Sequence, residues 1–247
     1  MRILICIDDT DNLESRGTGH LAAQIARDME DKGWGKSGFI TRHQLLVHPD
    51  VPYTSHNSAM CFSADVPGPC LDRLIHHTGA FLSRESAEGS DPGLCVVAID
   101  HLTSPEPLIE FGRNAKRSVV SMEEAYSLAR WMGVHLSEHG GSGQGVIGAL
   151  AGAGLRLSGN DGRVRGHLEI STDNGQATVD DICAHTCVYE VRSVRGKTLS
   201  GHERVLLGEK VKAVLLGGKP VLLVVPSEVR GDGSVWQSCS KQRLKDY

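Results

Sequence analysis

Three carboxylates, Asp8, Asp9 and Asp11, stand within four residues of one another. They follow Ile3, Leu4, Ile5 and Ile7, an apolar and mostly β-branched run that reads as a buried strand. Close carboxylates repel, so a positive partner belongs among them. Ligands of open α/β sheets collect beyond the carboxyl ends of strands. Carboxylates are also the usual protein ligands of Mg²⁺, which bridges to substrate phosphates. Asp8, Asp9 and Asp11 therefore read as metal ligands of a metal–phosphate site, with Asp9 and Asp11 catalytic. The rival reading is a solvated acidic turn in which Asp9 or Asp11 caps the next segment. Thr18 lies between Gly17 and Gly19. It reads either as an acceptor of a phosphoryl group or as a helix N-cap. His20 could move protons near neutral pH, although a surface position suits one of twelve histidines equally.

A second phosphate contact is offered by "HGGSGQGVIGALAGAG", residues 139–154. Gly141, Gly143 and Gly145, with Gly140, let a backbone turn its N–H groups toward an anion, and a following helix presents its positive end. The alternative is a turn before a tightly packed helix, and both can hold together. Gly143, Gly145 and Gly148 also spell GxGxxG, but an apparent helix and a polar turn precede them rather than a strand, which argues against a dinucleotide-binding unit. Arg42 and Asn57 are further candidates to face the nucleotide from neighbouring strands, since the guanidinium fork matches phosphate oxygens. A structural ion pair and a turn role explain them as well.

The elements that must position these residues can be read in outline. Strands are expected at 38–47, 57–66, 94–99, 164–170, 187–194 and 221–225. Helices are expected at 19–32, 69–84, from Ser121 onward with a Ser121/Glu124 capping box, and at 146–153. Strands mixed with helices indicate an α/β or α+β fold. The stretch Val211 to Pro226 is broken by Gly217, Gly218, Lys219 and Pro220, so it is not a membrane span. The 247 residues carry a net charge of -4, which argues against a long grip on nucleic-acid phosphates. The absence of an apparent signal peptide and the odd count of seven cysteines fit a reducing cytoplasm.

Three segments in order resemble one family, the archaeal tRNA agmatidine synthetases: "CIDDTDN" with "SRGTGHLA", "TRHQLLVHPDVPYTSHNSAM" at 41–60, and "DPGLCVV" with "GSGQGVIGALAGAG". The resemblance covers residues 1 to about 154. It implies a kinase-like domain packed with a ferredoxin-like one, here a nucleotide-binding region at 1–170 and a C-terminal α/β region at 171–247 that could complete the ferredoxin-like part. It also implies ATP and Mg²⁺ as cofactors, handled by Asp8, Asp9 and Asp11, and a phosphoryl group accepted at Thr18. Positioning and charge neutralisation are what such a transfer needs most. The chain departs from the family at His20, where a tyrosine is usual, and at Gln144, where an arginine is common. No counterpart of the family's oligonucleotide-binding barrel or zinc ribbon is expected, since Cys183 and Cys187 form a single pair and read as ordinary thiols. With the acidic charge, this argues against tRNA and for a small-molecule or nucleotide-like acceptor. Two rival functions follow the same residues. Asp9-Thr10-Asp11 is similar to the DxD motif of haloacid-dehalogenase-like phosphatases with Asp9 as nucleophile, although Leu13 replaces the expected threonine or valine. The other is a non-catalytic nucleotide-binding regulator.

Overall fold

Ile3, Ile5 and Ile7 point to one side of the first strand and Leu4 and Cys6 to the other, and all five are buried. A strand apolar on both sides has to be covered on both sides, and this fixes the layering of the first half of the chain. The structure is a computed structural model that describes residues 1–51, 57–172, 174–227, 236–245 and 247. The chain divides into two units, Met1–Ser158 and Gly159–Tyr247.

In the first unit, β1 (Arg2–Asp8), α1 (Thr18–Asp31), β2 (Lys36–Gln44), β3 (Ser58–Asp65), α2 (Leu71–Glu85) and β4 (Gly93–Ala98) follow in βαββαβ order. Next come α3 (Glu106–Ala115), α4 (Met122–Met132), β5 (His135–Glu138) and α5 (Gly145–Ser158). The strands form an antiparallel sheet in the order β5-β4-β1-β3-β2. Leu21, Ile25 and Met29 of α1 and Leu74 and Leu82 of α2 pack on Ile3, Ile5 and Ile7. Leu108 of α3, Ala125 of α4 and Ala149 and Leu150 of α5 pack on Leu4 and Cys6. The sheet is thus the middle of three layers.

Helix α5 approaches the sheet closely because it presents glycines. A Cβ at Gly152 would strike Cys6 Sγ and Ala59, and one at Gly148 would strike the Asp8 carboxylate. On its other side, Gly154 and Gly112 bring α5 and α3 together backbone to backbone.

The second unit is built from β6 (Arg163–Val164), β7 (Gln176–Thr178), α6 (Val179–Cys183), β8 (Glu190–Ser193), β9 (Arg204–Leu206), β10 (Val214–Leu216), β11 (Lys219–Pro226) and β12 (Trp236–Ser238). Strand β11 is its spine, antiparallel to β10 and β12 and parallel to β8. The β10–β11 hairpin turns on Gly217 and Gly218, both at positive φ, as a two-residue loop requires. Val214, Val221, Leu223 and Leu244 form its core.

Several expectations are amended. The ferredoxin-like order is complete within Arg2–Ala98, because β1 to β4 pair among themselves, and the division of the chain falls after Ser158 rather than at residue 170. The strand expected at 164–170 is only Arg163–Val164, and the helix expected at 146–153 extends over Gly145–Ser158. A strand, β5, does precede the glycine-rich segment. It runs antiparallel to β4 at the edge of the first unit's sheet, so it does not form the parallel unit of a dinucleotide site. The Ser121/Glu124 capping box is present, and Gly133 closes α4 in the left-handed region. Among the described residues, no helix is long and apolar enough to cross a membrane.

Candidate active site at the end of the first strand

Antiparallel pairing sets Asp8 opposite Gly93, so the chain leaving β1 runs beside the chain entering β4. Two cross-links hold these segments: the Ala87 N–H donates to Thr10 O at 3.0 Å, and Asn12 Nδ2 donates to Glu88 O at 3.2 Å. Asp9 takes a positive φ of 50°, which few non-glycine residues adopt. The kink there turns the acidic run across the strand end.

Asp8 is buried, with its side chain against Gly148 of α5. Burial, together with repulsion from Asp9 and Asp11, pushes its carboxyl up to about 8, although the Asp9 N–H donates to it. Asp9 is half-buried. Burial, then the charges of Asp91 and Asp11, raises it to about 6, while the Asp91 N–H donates to it. No cation figures among these influences. Asp11 accepts a hydrogen bond from Thr18 Oγ1 at 2.6 Å.

Thr18 is the buried first residue of α1. It is not the helix cap; Gly17 holds that position, with no side-chain cap bond. The hydroxyl is turned to Asp11 instead, and Gly17 lies beside the same Asp11 carboxylate. His20 pairs loosely with Arg16, at 3.4 Å.

The glycine loop lies over the same strand end. Gly141 and Gly143 have φ of 58° and 79°, which a side chain would resist. Asp91 anchors the loop. Its carboxylate accepts from the Ser142 N–H and, at 2.7 Å, from Ser142 Oγ. Its carbonyl accepts from the Gly145 N–H at 3.0 Å. Gly145 is also a packing glycine, since a Cβ there would strike the backbone of Asp91 and Gly93. Both readings of the loop are therefore represented in it.

Arg42 and Asn57 sit at the same end of the sheet but are engaged locally. Arg42 Nε donates to Ser58 Oγ at 2.9 Å and its Nη2 to Gln44 Oε1 at 3.2 Å. Asn57 Nδ2 donates to Leu46 O at 2.7 Å, and its carbonyl accepts from the Leu45 N–H at 2.9 Å. They brace the opening between β2 and β3. The stretch 52–56 of the second resembling segment lies outside the described residues.

Among the described residues, no group of three or more His, Cys, Asp or Glu side chains is disposed to hold a metal ion. The acids still fit a divalent cation of the Mg²⁺ kind, which is commonly held by one or two carboxylates and completed by phosphates and water. Asp8 and Asp9, both pushed upward, are the pair whose charge a cation would offset. Asp91 and Ser142 were not singled out from sequence. The signal for Asp91 was present in "DPG", but its value depends on the β1–β4 pairing that sets it beside Asp9.

A central strand tipped with acids beneath a glycine-rich loop, in a βαββαβ sheet, makes this strand end the candidate site of an α/β domain. Comparison with known proteins narrows this. No family profile matches the chain. The isoleucine-tRNA 2-agmatinylcytidine synthetase TiaS of Methanosarcina acetivorans is 28% identical over 162 residues, which are 63% of this chain and 36% of that protein. A crystal structure of TiaS in complex with isoleucine tRNA and ATP matches with a TM-score of 0.55 at 27% identity, over 62% of this chain and 36% of that one. A structure of apo TiaS matches 94% of this chain and 67% of its own, with a TM-score of 0.56 at 19% identity, a likeness of fold. Over this stretch the chain is similar to the TiaS family of tRNA agmatidine synthetases, and the matched stretch spans about a third of the length of the curated relative.

Proposed function

We propose that this chain is an ATP- and Mg²⁺-dependent phosphotransferase of the agmatidine-synthetase type, acting on a nucleotide or nucleotide-like acceptor. The observation that carries the reading is the 2.6 Å bond from Thr18 Oγ1 to Asp11, made beside a strand end where Asp8 and Asp9 are both held above their ordinary range. A hydroxyl bonded to a carboxylate is the pairing of a nucleophile with its base.

In this reading Asp11 orients the Thr18 hydroxyl and takes its proton as the oxygen bonds to the γ-phosphorus of ATP, with ADP leaving. Asp8 and Asp9 hold the divalent cation, which supplies charge neutralisation at the phosphates. The N–H groups of the glycine loop face the phosphates, and Gly141 and Gly143 supply the positive-φ turns that the loop makes there. A further acceptor then takes the phosphoryl group from Thr18. Whole-chain charge is a weak guide to that acceptor. In the second unit Lys210, Lys212 and Lys241 gather round His167, so isoleucine tRNA belongs in the acceptor assay beside free nucleosides.

Incubation with γ-labelled ATP and Mg²⁺ tests the reading. Label should appear on the protein and map to Thr18, and Thr18→Ala should remove it. That variant should also lose about 1 kcal/mol of stability, the net worth of one buried hydrogen bond. Label mapping to another residue, or hydrolysis of simple phosphate esters without ATP, would overturn the reading; the latter would favour Asp9 as a phosphatase nucleophile.

A further inference from the structure

The glycine loop already contains an anion, supplied by the chain itself. The Asp91 carboxylate accepts both the N–H and the hydroxyl of Ser142, and it fills the space beside Gly141 that a Cβ would need. Among the described residues, the N–H groups of Gly141, Gly143 and Gln144 donate to no oxygen of the chain. The loop therefore has one N–H committed to a carboxylate and three adjacent ones unspent. A loop of this kind cradles anions because its N–H dipoles converge.

Asp91 is tied to the acidic strand end as well. Its N–H donates to the Asp9 carboxylate, and its charge is the largest of those acting on Asp9. An uncharged residue with a side-chain carbonyl could accept the Ser142 N–H equally well. The carboxylate adds a negative charge where the phosphates of a nucleotide are to lie.

We propose that Asp91 is a resident anion of the glycine loop: its carboxylate holds the loop in the absence of nucleotide, and an incoming polyphosphate takes its place at Ser142. The inference rests on the nucleotide reading above and adds a specificity to it. A bare polyphosphate has to displace one anion and approach the further carboxylates of Asp9 and Asp11, with Asp8 held protonated beside them. A polyphosphate carrying a divalent cation brings the charge that offsets them. Asp91 thus sets the preference of the site for metal-complexed over metal-free nucleotide.

Titration calorimetry of the full chain with ATP and with inorganic triphosphate, in EDTA and in Mg²⁺, tests this. Asp91→Asn keeps the shape and an acceptor for the Ser142 N–H but removes the charge. In EDTA it should bind both probes about tenfold more tightly than the native chain, the effect of deleting one like charge a few ångströms from the phosphates. In Mg²⁺ the change should be smaller. Asp72→Asn, an exposed acid in the first turn of α2, should leave both values unchanged. If Asp91→Asn does not fold, Ser142→Ala removes the hydroxyl half of the tether and should shift binding in EDTA in the same direction. Equal or weaker binding by the folded variant in EDTA, with native binding of ATP intact in Mg²⁺, overturns the inference alone. Native chain that binds ATP in neither condition overturns the nucleotide reading and this inference with it.

Discussion

Asp8 occupies a place where, without a cation, its protonated form is the comfortable one. It is buried against Gly148, and burial first and Asp9 second raise its carboxyl from an ordinary 3.8 to about 8. A group raised in the folded state contributes stability that is complete below its ordinary value and is lost as pH climbs through the folded one. The metal-free protein should therefore melt at progressively lower temperature between about pH 5 and pH 8, with Asp9 adding to the fall up to about 6. Each pH unit inside the window costs up to about 1.4 kcal/mol per group. Asp8→Asn should flatten most of that slope in EDTA. A native melting temperature independent of pH across this range would mean that Asp8 is not held as described.

Helix α5 shows what close packing demands of an element. Its glycines at 148 and 152 let it lie on β1 and β3, and the space a Cβ would need at Gly148 is taken by the Asp8 carboxylate. Gly148→Ala should cost about 1–3 kcal/mol in urea unfolding, the usual range for overpacking, and should also disturb Asp8. Gly133, at φ 64° with open space around it, should lose only about 1 kcal/mol as Gly133→Ala, the backbone strain alone. Equal losses at the two positions would contradict the packing account. The small-residue run of α5 was legible in the sequence, and so was the capping box of α4, because both are local patterns. Strand β5 was not. "HLSE" carries one apolar residue and is a strand only because β4 pairs with it. Helix α3 was missed for a related reason. Gly112 reads as a breaker in sequence, but in the fold it is where α3 meets α5.

At the scale of the whole molecule, the acid-tipped first strand, the order of the main elements of the first unit and the family resemblance were all readable from residue types. The division of the chain was placed too late, because a polar stretch at 171–178 competes in sequence with the glycine turn at 158–162, and only the contacts favour the earlier position. The net charge of -4 is an average that conceals distribution: cations cluster round His167 in the second unit. The site was half legible. Asp8, Asp9, Asp11 and Thr18 stand together at one strand end, whereas Asp91 and Ser142 emerged only from the pairing of β1 with β4. The central claim is that this strand end is a metal–nucleotide site, and calorimetric titration of the full chain with Mg²⁺-ATP tests it most directly. The native chain should bind, and Asp9→Asn, folded and no less stable without ligand, should bind at least about tenfold more weakly. Unchanged affinity in that variant would contradict the account.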